Sequence, residues 1–120
     1  MTGDQALQEL LAVSEDVVAA VIFDVNGEPT GATVGPEDAR SVSQTARSML
    51  AYADALRTKP STERLEAVTA DGSIFVLRRG DQAVVAATGQ DPVAGLVHHD
   101  LRATLEKLKG RAREKADAAP

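Results

Sequence analysis

Hydrophobic positions at the start of the chain change from a helical spacing to a continuous run. Thr2-x-x-Gln5 has the residue types of a capping box, which predicts the beginning of a helix. The apolar residues that follow recur at intervals of three and four and predict one buried helix side, formed by Ala6, Leu7, Leu10 and Leu11. Residues 17–23 are then uninterrupted and apolar, which predicts a central strand buried on both faces.

The stretch VIFDVNGEPTGA, residues 21–32, contains a turn. Asn26-Gly27 tolerates the positive φ angles of a tight hairpin, and Pro29 lacks the N–H group that an inner strand needs. We therefore predict a hairpin whose short return strand, residues 31–34, lies at an edge of the sheet.

A long helix is predicted from Pro36 to about Arg57, because proline in the first turn and the acidic Glu37 and Asp38 are typical of a helix start. Its predicted core side is rich in alanine and consists of Val42, Ala46, Met49, Ala53 and Leu56, widened by Ala39 and Leu50. Beside it lies a mostly polar flank, which fits either a second helix or plain solvent exposure: Ser41, Thr45, Ser48 and Tyr52.

Three strand-like segments follow, at residues 64–70, 73–79 and 82–88. The short hairpin signals Asp71-Gly72 and Gly80-Asp81 separate them, so the three segments predict a meander.

Asp91-Pro92 is predicted to cap a last helix, with a core side of Val93, Leu96, Val97, Leu101, Leu105 and Leu108. We expect Gly110 to end it, because the residues beyond are charged and lack apolar periodicity. The chain then divides into one domain at residues 1–109 and a charged, flexible tail at 110–120.

Composition supports a single small domain. The chain has 120 residues, 43% of them hydrophobic but only 2% aromatic, so its core must be built from aliphatic side chains. It has no cysteine, which excludes disulfides and thiolate chemistry. No apolar run is long enough for a membrane span, and the first residues lack a basic signal-peptide region, so we expect a cytoplasmic protein.

The charge distribution disfavours nucleic acid as a partner. The net charge is −5, and the stretch from Arg102 to Lys115 contains six basic residues against two glutamates. The rest of the chain is therefore acidic, which disfavours the neutralisation of phosphates by lysine and arginine that supplies most nucleic-acid affinity. We interpret the basic stretch as a helix end running into a solvated tail, the alternative being an anionic membrane or an acidic partner.

No motif predicts a metal site. Asp24-x-Asn26-Gly27 resembles the middle of a calcium loop, but that register would require ligands at Ile22 and Thr33, which cannot serve. His98 and His99 are adjacent, so on a helix they point about 100° apart and cannot share one metal without other ligands.

No motif predicts catalysis or a bound cofactor either. The chain lacks a G-x-S-x-G nucleophile turn and the glycine-rich patterns of nucleotide-binding loops. We therefore predict no catalytic residues, no metal and no cofactor, and a protein that is not an enzyme.

The order of elements, together with FDVNGEPTGA and DPVAGLVHHDLRATLEKL, resembles the roadblock (dynein light chain roadblock) family over residues 4–109. Asp24-x-x-Gly27-x-Pro29 is similar to that family's D-x-x-G-x-P turn, and Gly95-Leu96 fits its glycine early in the last helix. Glu28 departs from the family pattern, which often has an apolar residue there.

The resemblance implies an α/β domain of the α+β type, a sandwich like those of roadblock domains and profilin. Its five-stranded antiparallel sheet would have the long middle helix on one face and the N- and C-terminal helices on the other. It also implies a dimer in which the strand after the long helix pairs with its copy into a ten-stranded sheet.

In such a dimer the two long helices form a platform for small Ras-like GTPases or scaffold proteins. We predict a dimer interface at Ser41, Thr45, Ser48, Tyr52, Arg64, Glu66 and Val68. We predict partner binding at Arg40, Gln44, Arg47 and Ala51.

Two functions remain open at this point. The first is a non-catalytic, homodimeric regulatory or scaffold module that binds a small Ras-like GTPase and modulates its nucleotide cycle. The second is a small-molecule sensor, or a general protein-interaction module of profilin-like fold, without a GTPase partner. The aromatic-poor composition and the alanine-rich helix favour tight packing without a cavity, and so the first function.

Overall fold

The computed structural model describes residues 2–56 and 63–118 of the chain, with side chains as far as residue 108. In chain order, the helices and strands of this part are α1 (Gly3–Val13), β1 (Val17–Asp24), β2 (Pro29–Ala32), α2 (Pro36–Ala55), β3 (Arg64–Val68), β4 (Ser73–Arg79), β5 (Gln82–Thr88) and α3 (Ala94–Ala118).

The five strands form one antiparallel sheet in the order β2-β1-β5-β4-β3. The predicted meander is β3-β4-β5, and the predicted hairpin is β1-β2. Pairing of β1 with β5, from Val17 opposite Thr88 to Asp24 opposite Gln82, joins the two units. The strands β2 and β3 are left at the two edges.

Two apolar clusters lie on opposite faces of the sheet. Side chains of α1 and α3 pack on one face, and the largest members of this cluster are Leu7, Leu10, Ile22, Phe75, Leu77 and Leu101. Side chains of α2 pack on the other face, against Val21, Phe23, Val76, Ala83 and Val85. The predicted α+β sandwich, with the middle helix on one face and the terminal helices on the other, is confirmed.

The capping box and the edge position of β2 are also confirmed. The hydroxyl of Thr2 accepts the N–H of Gln5, whose side chain accepts the N–H of Thr2. At the edge, the carboxylate of Asp4 accepts the N–H of Ala32 at 2.9 Å, and Pro29 has no N–H to offer. The start of α1 therefore covers the free edge of β2.

Two strands end differently from the sequence prediction. β2 spans Pro29–Ala32 rather than residues 31–34, because Pro29 pairs with Phe23 across an irregularity in the register. β3 stops at Val68 rather than at residue 70. The hydroxyl of Thr69 accepts the N–H groups of Asp71 and Gly72, which makes the following residues a turn.

The core side of α2 was predicted only in part, with Ala39, Ala46 and Leu50 correctly assigned to it. The residues buried against the sheet are Ala39, Ser43, Ala46 and Leu50, whereas Val42 is 39% exposed and Leu56 is 89% exposed. The prediction counted only apolar residues, so it placed the core side of the helix away from Ser43, which is in fact buried. The helix ends at Ala55, and the predicted end at Arg57 lies outside the described residues.

Both predicted ends of α3 were wrong. The helix begins at Ala94, and the Val93 carbonyl accepts the N–H groups of Leu96 and Val97, while Asp91 has a φ of 55°. Proline at position 92 disfavours the right-handed helical conformation for Asp91, which explains the later start. The helix continues past Gly110 to Ala118, because one glycine costs only about 1 kcal/mol among strong helix formers. The division of the chain at residue 110 stays a prediction.

Most of the predicted core side of α3 is buried. Val97, Leu101 and Leu105 pack in the cluster with α1, and Leu108 packs against it. Val93 and Leu96, at the start, are 56% and 58% exposed.

Candidate interaction surface of helix α2 and strand β3

The turn after β1 is built by Asp24. Its carboxylate accepts the N–H groups of Asn26 and Glu28, and its carbonyl accepts the N–H of Gly27. Gly27 has a φ of 79°, a conformation that side chains with a Cβ rarely adopt. The D-x-x-G-x-P residues thus form a turn whose carboxylate is engaged by backbone N–H groups.

The same turn anchors α2. The buried hydroxyl of Ser43 donates to the Gly27 carbonyl at 2.7 Å, and the side-chain amide of Gln44 donates to it at 3.3 Å. Sequence reasoning interpreted the turn as a hairpin connection only and missed this contact. A serine within an apolar helix side, at Ser43, was the signal that could have indicated it.

The other end of α2 is held by β4. A guanidinium nitrogen of Arg78 donates to both carboxylate oxygens of Asp54, at 2.8 and 2.9 Å, and both side chains are half-buried. Because Ser43 is tied to the β1-β2 turn and Asp54 to β4, the helix crosses the sheet toward β3. The C-terminal turn of α2 therefore lies near β4.

An apolar strip on α2 faces away from the core. Among its members, Val42, Tyr52 and Leu56 are 39%, 76% and 89% exposed, and Met49 is half-buried. Their spacing of seven, three and four residues places them on one side of the helix. We call Val42, Met49, Tyr52 and Leu56 the outer strip. Three of these four were assigned to the core by their sequence pattern.

The predicted interface residues are all solvent-exposed, on α2 at Ser41, Thr45, Ser48 and Tyr52 and on β3 at Arg64, Glu66 and Val68. The α2 members border or belong to the outer strip. Their exposure leaves them accessible to a partner, and their role in a dimer stays a prediction.

The predicted partner-binding residues are exposed as well, at Arg40, Gln44, Arg47 and Ala51. This set precedes the α2 interface set by one residue at each position, so the two sets are about 100° apart around the helix. The structure therefore places the predicted partner-binding residues on a different flank from the outer strip.

A shallow pocket of about 180 Å³ lies beside that flank, where α2 meets the end of the sheet. It is lined by Phe23, Asp24, Val25, Arg47, Leu50, Ala51, Asp54, Arg78, Gly80, Asp81, Gln82 and Ala83. Small-molecule sites usually have about 300–1,000 Å³, so this pocket is small for a metabolite. It was not predicted from the sequence, because it depends on how α2 crosses the sheet.

Among the described residues, nothing pairs with the outer edge of strand β3, and the backbone groups at this edge are defined by its register with β4. The N–H of Arg78 donates to the Glu63 carbonyl, and the N–H of Thr69 donates to the Gly72 carbonyl. In an antiparallel pair the direction of backbone groups alternates, so the odd-numbered residues of β3 bond to β4. The N–H and C=O groups of Arg64, Glu66 and Val68 therefore point outward from the edge.

His98 of α3 lies near the β3 edge, on the face of the sheet that α1 and α3 cover. Its ring packs edge-on against Phe75 with centroids 5.1 Å apart, and its Nδ1 is buried without a hydrogen-bond partner among the described residues. Burial, and then the nearby Arg64 guanidinium, lower the pKa of His98 below its ordinary value, with Glu66 acting in the opposite direction and Arg102 in the same direction as Arg64.

The described residues offer no metal-binding group, since nowhere among them do three or more potential ligand side chains of His, Cys, Asp or Glu come together suitably. In the same part of the chain, none of the helices has both the length and the hydrophobicity needed to cross a membrane.

Comparison with known proteins identifies the fold. No family model matches the sequence, and no curated protein matches it. Among solved structures, a Roadblock/LC7 domain from Streptomyces avermitilis is similar with a TM-score of 0.83 at 10% identity, over 92% of this chain and 97% of that one. An MglB structure described as having a tetrameric arrangement gives 0.78 at 16% identity, over 93% and 88%.

Profilin IA from Acanthamoeba castellanii is also similar, with a TM-score of 0.61 at 11% identity, over 91% of this chain and 98% of the profilin. The resemblance noted in the sequence thus agrees with the three-dimensional structure. This chain has the fold of bacterial Roadblock/LC7 domains.

Proposed function

We propose that the chain is a non-catalytic, homodimeric regulatory module that binds a small Ras-like GTPase. The observation that carries the proposal is the exposed outer strip of α2, together with the outer edge of β3, which no described residue pairs. Large exposed apolar side chains on a helix, and unpaired strand N–H and C=O groups, are both typical of a protein-protein interface. We expect such a module in the cytoplasm.

The two edges of the sheet support the choice of β3 for self-association. The edge of β2 is short and is covered by the Asp4 carboxylate, whereas β3 presents the outward groups of three residues. Natural proteins protect edge strands unless another chain pairs with them. The similar MglB structure has a tetrameric arrangement, which agrees with self-association in this fold.

The GTPase partner follows from the roadblock resemblance, in which paired middle helices bind small GTPases. The flank with Arg40, Gln44, Arg47 and Ala51 is the surface we assign to that partner. Gln44 and Arg47 lie at the anchored β1-β2 turn, so this part of α2 is held rigidly. A rigid, exposed helix flank is well suited to bind a folded partner with little loss of entropy.

Two glutamate substitutions at adjacent positions separate the two surfaces. Tyr52→Glu places a carboxylate in the outer strip and should convert a dimer to mostly monomer, because burying an unpaired charge is costly. Ala51→Glu lies on the other flank and should leave the dimer intact but weaken GTPase binding. Light scattering gives the mass, and interferometry with purified host GTPases, loaded with GDP or a GTP analogue, gives the affinity.

The mass of the wild-type chain and its binding to GTPases each have a result that refutes part of the proposal. A wild-type monomer at high micromolar concentration would refute the homodimer. A wild-type dimer that binds no small Ras-like GTPase in either nucleotide state would refute the partner. A dimeric, normally binding Tyr52→Glu variant would place the interface elsewhere.

The second candidate function is a small-molecule sensor, and the pocket beside α2 is the observation that favours it. A thermal-shift screen against metabolites tests it. Reproducible stabilisation by one compound, lost on replacing Ala51 with Glu and accompanied by no GTPase binding, would reverse the order of the two candidates.

A further inference from the structure

We infer, given the homodimer proposed above, that two copies pair through β3 in the register that sets Arg64 of each copy opposite Glu66 of the other. The occupant of the free edge is then a second copy of this chain, and these two charges select it. The inference depends on which groups of β3 face outward and on the charges they carry.

A two-fold axis perpendicular to the sheet makes the two β3 strands antiparallel and keeps α2 of both copies on one face. Only residues with outward backbone groups can exchange hydrogen bonds, so Arg64, Glu66 and Val68 must pair among themselves. For at least two of these three residues to take part, the axis must pass through Leu65, Glu66 or Ala67.

Charge distinguishes these three registers. An axis at Glu66 sets two Glu66 carboxylates directly opposite each other, which is destabilising. An axis at Ala67 sets Glu66 opposite Val68 and leaves its charge without a partner on the opposing strand. An axis at Leu65 sets Arg64 opposite Glu66 twice, so that two opposite-charge pairs form.

Burial and packing favour the same axis. Leu65 is half-buried and packs against the α2 cluster, while Arg64, Glu66 and Val68 are exposed on the other face. An axis at Leu65 brings the two Leu65 side chains together in a non-hydrogen-bonded pair, where strands approach most closely. Within the described residues, neither Arg64 nor Glu66 forms an ion pair, so both charges are available.

Charge exchange tests the register. Arg64→Glu alone sets Glu opposite Glu twice, and Glu66→Arg alone sets Arg opposite Arg twice. Each should weaken self-association about tenfold or more at low ionic strength. A mixture of the two variants, and the Arg64→Glu/Glu66→Arg double variant, restore opposite charges and should recover the wild-type mass in light scattering.

A single cysteine gives an independent readout, because the chain contains none. At an axis through Leu65, Leu65→Cys should form a disulfide-linked dimer under mild oxidation, since the two Cα atoms lie about 4.5 Å apart, within disulfide range. Ala67→Cys is the matched control on the same strand face. In this register the Cα atoms of the two copies of residue 67 are too far apart for rapid crosslinking.

The outcomes separate this inference from the homodimer itself. A wild-type chain that stays monomeric refutes the homodimer. A wild-type dimer whose charge variants associate normally, or whose mixture fails to recover, refutes only the register. Crosslinking through Ala67→Cys but not Leu65→Cys would likewise move the axis and overturn the inference.

Discussion

The hydroxyl of Ser43 in α2 donates a 2.7 Å hydrogen bond to the carbonyl oxygen of Gly27 in the turn after β1. Ser43 is fully buried, at 0% exposure, and is the polar residue on a helix side that is otherwise apolar. Together with the packing of Ala39, Ala46 and Leu50, this contact turns Ser43 toward the sheet and leaves the outer strip exposed.

Ser43→Ala should lower the free energy of unfolding by about 1–2 kcal/mol. It removes a buried donor from the Gly27 carbonyl, and a lost hydrogen bond of this kind costs about 1 kcal/mol or more. The remaining 3.3 Å bond from Gln44 limits the loss. Urea unfolding measures the change, and Ser48→Ala, on the exposed side of the same helix, should stay within about 0.5 kcal/mol of wild type. Equal effects at both positions would contradict the anchoring role.

The helices and strands could be predicted from the sequence, but the side of α2 that faces the sheet could not. The order and type of elements follow from apolar spacing and turn residues, which are local signals. The buried side of α2 depends on a contact between Ser43 and a turn 16 residues away, which no local pattern contains. The exposure of Val42 and Leu56, which were predicted to face the core, follows from that rotation of the helix.

The candidate surface was partly predictable for the same reason. Residues such as Arg64 and Glu66 were identified as an edge strand from local pattern and family resemblance. The direction of their backbone groups depends on the register of β3 against β4, which sequence alone does not specify. The pocket beside Arg47 likewise depends on how α2 crosses the sheet.

Gly31→Ala should destabilise the fold by about 2 kcal/mol or more. A Cβ at Gly31 would lie 2.6 Å from the backbone carbon of Gly3, so α1 and β2 would have to separate. Gly95 is the matched control, because a Cβ there would meet nothing within 4 Å. Gly95→Ala lies in α3 and should stabilise the protein by up to about 1 kcal/mol. Thermal unfolding compares the two, and a neutral Gly31→Ala would show that α1 does not press on β2.

His98 should make the folded chain less stable as the pH falls below about 6.5. Burial and Arg64 lower the pKa of His98, so the unfolded chain takes up the proton at a higher pH than the folded chain does. Stability is therefore fully present above the unfolded pKa and decreases below it, by less than about 1.4 kcal/mol per pH unit for one proton. Urea unfolding between pH 7.5 and 5.5 measures the slope.

His98→Gln should flatten that slope, even if loss of the Phe75 contact lowers stability at every pH. His99→Gln is the matched control, because it removes the neighbouring imidazole and retains His98 with its contact to Phe75. If His98→Gln shows the same pH dependence as the wild type, the ring does not titrate differently on unfolding.

Glu66→Pro should prevent self-association while leaving the monomer folded. The N–H of Glu66 points away from β4, so proline removes a donor that only a second chain can use. Ala67→Pro is the matched control, because the N–H of Ala67 points toward Ile74 of β4 and its loss should cost about 1–3 kcal/mol of folding stability.

Glu66→Gln separates the effect of charge from that of the backbone, and should weaken the dimer without abolishing it. Light scattering and thermal unfolding give the two readouts for each variant. A dimeric Glu66→Pro variant would exclude pairing through this residue, and an unfolded one would mean that its N–H bonds within the sheet.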